Sequence, residues 1–176
     1  LSLIYELKYS SVTSVRKVIS LIASSGFVEY AQPHHLQQAL FVPNDIPGFL
    51  SQQFHLDKIL AYAAWDVDSG DTNIVIGITD TGVDWDHLDL QDNVKYNYLD
   101  PIDGADNDND GYTDNYRGWD MSENDNDPVS VGDHHGTWVA GLAAASTNNG
   151  IGIAGVGFNC KFLPIKVSTD NGGIDM

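Results

Sequence analysis

Apolar residues recur along the chain with two different periods, and the alternation between them sets the expected fold. Residues 3–9, LIYELKY, alternate closely enough for a strand. Within Ser11–Ser25, Val15, Val18, Ile19 and Ile22 fall on one helical face, and Gly26 ends that helix. FVEYAQP, residues 27–33, reads as a second strand stopped by Pro33. Residues 1–32 therefore predict a small β-α-β unit, too short to hold a core alone. Pro33, Pro43, Pro47 and Gly48 mark residues 33–56 as a linker. Ile59, Leu60, Ala63 and Ala64 then give helical spacing across Leu56–Val67.

Residues 57–176 read as one further domain. NIVIGITD, residues 73–80, is a nearly continuous apolar run, as expected of a central parallel strand buried on both faces. Residues 93–130 are polar and irregular, with a short strand predicted near Tyr116–Met121. Thr137–Ser146 is small and apolar, a buried helix with Trp138, Val139, Ala140, Leu142 and Ala143 running into the core. KFLPIKVS, residues 161–168, is another strand candidate. Strands alternating with helices predict an α/β fold, a mainly parallel sheet with helices on both faces, preceded by the small β-α-β unit.

Composition narrows the function classes. The 176 residues carry 25 Asp and Glu against 8 Lys and Arg, a net charge of −17. That balance argues against nucleic acid and against an anionic membrane surface as partners. No apolar run approaches the ~18 residues needed to cross a bilayer. The single cysteine, Cys160, lies in an apolar stretch and reads as a buried structural thiol. The acids are densest between Asp80 and Asp133, where clustered carboxylates make Ca²⁺ a natural counter-ion.

Three motifs carry candidate chemistry. In ITDTGVD, residues 78–84, Asp80 ends an apolar strand, where functional groups of α/β sheets gather. A carboxylate there either orients a histidine or caps a turn. In SVGDHHGTWVAGL, residues 130–142, His134 and His135 stand at the start of a buried helix. The positive helix N-terminus disfavours imidazolium, so a base here is expected to stay neutral near pH 7. Neither an HExxH spacing nor a cysteine partner points to a transition metal. In DNDNDGYTD, residues 106–114, Asp106, Asp108 and Asp110 alternate, Gly111 permits a sharp turn, and Asp114 and the Tyr112 carbonyl add oxygens. This follows the first nine positions of an EF-hand loop, but Arg117 replaces the closing Glu. The expectation is an oxygen cage closed by water, Asp103 or Asp120; the plainer alternative is a solvated loop of Asx turns.

ITDTGVDWDHLDL and HHGTWVAGLAAA, in that order, resemble the aspartate and histidine signatures of the subtilisin-like serine proteases, over roughly residues 41–176. The resemblance implies Asp80 as the orienting acid and His135 as the general base of a serine endopeptidase acting on protein or peptide substrates. It implies a second calcium site, held by Asp89, Asn149 and the carbonyls of Thr147, Ile151 and Ile153. It further implies that residues 1–32 are the end of a prodomain acting as an intramolecular inhibitor, and that the parent is secreted or cell-surface. Trp138 stands where the family usually has a second histidine. No Gly-Thr-Ser-Met-Ala-like stretch follows Lys166, and neither Ser146 nor Ser168 has that context. The chain alone is therefore expected to be inactive and to fold poorly, with the nucleophile lying beyond it. A non-catalytic calcium-binding module, or an inhibitory fragment, are the rival readings.

Overall fold

The computed structural model describes residues 4–10, 12–33, 41–45 and 52–169. The chain separates into two compact units, Leu1–Ala39 and Leu40–Met176.

In the first unit, helix α1 spans Val15–Ser24. Its start is capped by Ser14, whose hydroxyl oxygen accepts from the Lys17 N–H. The two expected strands do not form: residues 4–10 and 27–33 are irregular. Their alternation is present, but neither segment has a ladder partner among the described residues, and a strand without one satisfies no backbone groups. Ile4, Tyr5, Leu7 and Phe27 are accordingly exposed, and α1 buries no residue.

In the second unit, β1 (Val75–Asp80), β2 (Trp119–Asp120) and β3 (Lys161–Lys166) form a parallel sheet in the order β1-β3-β2. Phe162, Ile78, Val83, Leu90 and Val94 pack against the small residues Ala140, Ala144 and Ala145 to make the main core. This is the expected α/β architecture with a parallel sheet. β1 was expected to be central and buried on both sides; here β3 is central, and Val75, Gly77 and Thr79 face outward. The apolar run alone does not reveal which of its faces is covered.

Pro164 in the central strand removes no ladder bond. Lys161 and Val167 donate their N–H groups toward β1, so the even positions face the other side. There β3 meets only a bridge from Val94 to Phe162 and then β2 at Ile165, leaving Pro164 in the gap.

Helix α4, His135–Ala144, packs on this sheet through Gly136, Ala140, Gly141 and Ala144. It starts two residues earlier than the sequence pattern suggested. Trp138 and Leu142, expected in the core, are 66% and 46% exposed. The small residues, not the large ones, mark the packed face, because close helix–sheet approach leaves no room for bulk.

The helix expected over Leu56–Val67 is two helices, α2 (Phe54–Lys58) and α3 (Ala61–Trp65). They are broken at Leu60, whose φ is +58°. The break lets Leu56, Ala61 and Trp65 share one apolar cluster with Ala154. The Gln53 amide pairs both ways with the Ala154 backbone, at 2.9 and 3.0 Å. Cys160 is buried and free, as expected. No helix among the described residues is long and apolar enough to cross a membrane.

Candidate functional site

Asp80 ends β1, and His135 begins α4. The turn after β1 and the helix start are nearly in contact. A Cβ on Gly136 would lie 2.3 Å from the Gly82 carbonyl oxygen and 3.0 Å from the Asp80 Cβ. Gly82 itself has φ +97°, and a side chain there would strike the Ser130 backbone at 2.7 Å. Two glycines, one in each motif, thus let the strand end and the helix start approach. Thr81 and Thr137 fasten the approach: Gly136 N–H donates to Thr81 Oγ1 at 3.1 Å, and Asp84 N–H donates to Thr137 Oγ1 at 3.0 Å.

The result is a 2.8 Å contact between His135 Nδ1 and Asp80 Oδ1, across 55 residues of chain. Burial pushes the Asp80 carboxyl up, but hydrogen bonds from His135 and from the Thr81 N–H outweigh it and hold it below the usual carboxylate range. An ionised carboxylate accepts only, so neutral His135 carries its proton on Nδ1 and keeps a lone pair on Nε2. The imidazole is 60% exposed, so Nε2 is open to an incoming group. The bond to Asp80, then its charge, raises the His135 pKa above the ordinary imidazole value. The adjacent carboxylate acts in the opposite direction to the helix N-terminus. His134 occupies the N-cap position, and its side chain makes no capping bond.

In the Asp-rich loop, carboxylate oxygens of Asp100, Asp106 and Asp108 lie within 4.8 Å of one another, with Asp100 fully buried. An all-oxygen anionic set with a buried member fits a hard divalent cation such as calcium. Asp110 and Asp114 turn elsewhere. Asp110 accepts from Tyr112 N–H and the Asn115 amide, and Asp114 accepts from the N–H groups of Asp103 and Gly104. The acid joining the cluster is Asp100, not Asp103 or Asp120. Asp103 accepts from Ala105 N–H, and Asp120 forms a buried 2.8 Å ion pair with Lys166. Asp100 lies outside the alternating run, so its spacing gave no signal.

The second set gathers around Asp89. This buried carboxylate accepts from the Asn149 amide at 2.9 Å and Ile153 N–H at 2.8 Å. A Cβ on Gly152 would lie 1.9 Å from its Oδ2, which requires glycine there. Among the described residues the carbonyls of Thr147, Ile151 and Ile153 accept no backbone hydrogen bond. It is the amide N–H of Asn149, not its oxygen, that faces Asp89. Burial pushes the Asp89 carboxyl up, and Asp45 adds repulsion. Asp45, missed in the sequence, is fully buried and accepts from Asn148 and Asn149 N–H groups. Two buried carboxyl groups beside one loop also fit a hard cation.

Known proteins resemble this chain. The Subtilase family profile matches residues 71–176. A thermophilic serine proteinase of a Bacillus species is 34% identical over 161 residues, 92% of this chain and 34% of that protein. A halolysin-like extracellular serine protease of Natrialba magadii is 35% identical, covering 83% of this chain and 24% of that one. Thermitase of Thermoactinomyces vulgaris is 38% identical over 76% of this chain and 39% of its own length. A solved protease of Pseudoalteromonas arctica superposes with a TM-score of 0.53 at 31% identity, covering 76% of this chain and 41% of that one. The chain spans about a third or less of the first two of these relatives. With a family profile over more than half its residues, the chain belongs to the subtilase family.

Proposed function

We propose that these residues supply the acid and base of a secreted, calcium-stabilised serine endopeptidase, whose nucleophilic serine comes from sequence outside them. The observation that carries this reading is the 2.8 Å Asp80–His135 contact, made through Nδ1 on a side chain that is 60% exposed. His135 takes the proton of the serine hydroxyl as that oxygen attacks the peptide carbonyl, then returns it to the leaving amine. Water repeats the sequence on the acyl-enzyme. Asp80 holds the tautomer and stabilises the imidazolium. The extracellular relatives support export.

Calcium would be held by Asp100, Asp106 and Asp108, and at a second position by Asp89 and Asp45 with Asn149 and the carbonyls of Thr147, Ile151 and Ile153. Asp110 and Asp114 shape the first loop through their hydrogen bonds, and the Tyr112 carbonyl is proposed as a further oxygen. Residues 1–32 are proposed as the end of a prodomain that inhibits the enzyme before maturation.

The test is hydrolysis of casein by the protein expressed with all that its gene encodes after Met176. A serine-directed inhibitor should abolish cleavage, and Asp80→Asn should lower kcat by about 10⁴-fold. Unimpaired cleavage by Asp80→Asn would refute the assignment. A protein that binds calcium but cleaves nothing would favour the non-catalytic module.

A further inference from the structure

We propose that Asp133 is a positioning residue for His135, fixing the backbone of the base and keeping a second anion beside its ring. The inference rests on the reading of His135 as general base.

Helix α4 needs its first N–H groups satisfied, and the N-cap residue His134 does not supply a side chain for this. Asp133 does so from one residue further back: its Oδ1 accepts from the His135 N–H at 2.9 Å. The turn at Gly132, φ +73°, precedes Asp133 as the chain enters the helix.

The bond belongs to a closed circuit. Thr81 Oγ1 donates to the Asp133 carbonyl at 3.4 Å. Thr81 N–H donates to Asp80 Oδ1 at 2.7 Å. Asp80 Oδ1 accepts from His135 Nδ1, and the His135 N–H returns to Asp133. Four residues from two distant segments therefore constrain both ends of one histidine, ring and backbone. Removing Asp133 frees the backbone end only.

Asp133 also acts by charge. The anions influencing His135 are Asp80, from the end of β1, and Asp133, from the loop before α4; both favour the imidazolium. His134, next in the chain, acts electrostatically on Asp84. Asp133 is exposed, so its share is screened by salt, whereas that of half-buried Asp80 is less so.

The experiment compares pH profiles of kcat and kcat/KM for the full-length enzyme and its Asp133→Asn and Asp133→Ala variants, at low and high salt. Asp133→Asn keeps an acceptor oxygen, so the plateau kcat should be retained while the acid limb moves to lower pH. That movement should shrink at high salt. Asp133→Ala should move the limb equally and also lower kcat by about tenfold with KM unchanged, short of the ~10²-fold that a 1 Å misplacement can cost. Profiles superimposable on wild type, a loss of melting temperature without movement of the limb, or failure of Asn to preserve the plateau would overturn the role. His135→Ala serves as the control. If it remains active, the base assignment itself falls; if it is dead while the Asp133 variants are unchanged, only the positioning role falls.

Discussion

At the scale of residues, the site is a pair of side chains whose chemistry follows from one hydrogen bond. The raised pKa of His135 has a direct consequence. The proposed base works only when neutral, so activity should fall as pH drops through a value above the ordinary imidazole pKa. Asp80→Asn removes the cause of the shift, so the acid limb measured on the remaining activity should move to lower pH. A limb that stays put would show that Asp80 does not act on His135. Gly136→Ala tests the close approach. Its Cβ would meet the Gly82 carbonyl at 2.3 Å, so helix or turn must move. The expected result is a loss of kcat of about 10²-fold, read beside a melting curve that separates misplacement from unfolding. The Asp80–His135 pairing was legible in the sequence because each residue sits in a compact motif. Asp45 was not: its partners Asn148 and Asn149 are 103 and 104 residues away, and no periodicity links them.

At the scale of elements, the strand ends form a strut behind Asp80. Asp80, Lys166 and Asp120 are register partners across β1, β3 and β2. Val167 N–H donates to the Asp80 carbonyl, and Met121 N–H donates to the Lys166 carbonyl. The Lys166–Asp120 ion pair is almost wholly buried, and Asp120 also accepts from Ser122 and Glu123 N–H groups. Removing one partner leaves an uncompensated buried charge, so Lys166→Met should destabilise by roughly 3–5 kcal/mol in denaturant titration. The double variant with Asp120→Leu should recover much of that loss; equal destabilisation by the double variant would argue against the pair. β1, α4 and β3 were legible because each is a long apolar run bounded by polar turns. The strands expected over residues 3–9 and 27–33 failed for a reason no local pattern contains: pairing is non-local. Of the five α4 residues expected in the core, Val139, Ala140 and Ala143 pack there, while Trp138 and Leu142 face outward because the close helix–sheet approach is made by Gly and Ala.

At the scale of the whole molecule, the net charge of −17 is concentrated where the two acidic sets lie. Asp89 makes the calcium reading testable through pH. Its carboxyl is held above the ordinary range, chiefly by burial, so in metal-free protein its ionisation opposes folding. That contribution to stability is present at low pH and is lost as pH rises from the ordinary carboxylate value through the higher one. Calcium binds the ionised form and should reverse the trend, adding roughly 2.7 kcal/mol at a hundredfold excess over Kd. Melting temperatures with calcium and with chelator, across this pH window, should therefore diverge as pH rises. Asp100→Asn with Asp108→Asn should remove one part of the gain, and Asp89→Asn the other. Curves that coincide at every pH would count against both sites.

Asp80 and His135 are proposed to activate a serine, and covalent labelling of that serine reads this activation out. The protein expressed with all that its gene encodes after Met176 should react with a fluorophosphonate at a single serine following Lys166. Labelling should be abolished by His135→Ala and slowed by Asp80→Asn. No labelling of the wild type, or labelling that survives His135→Ala unchanged, would contradict the account.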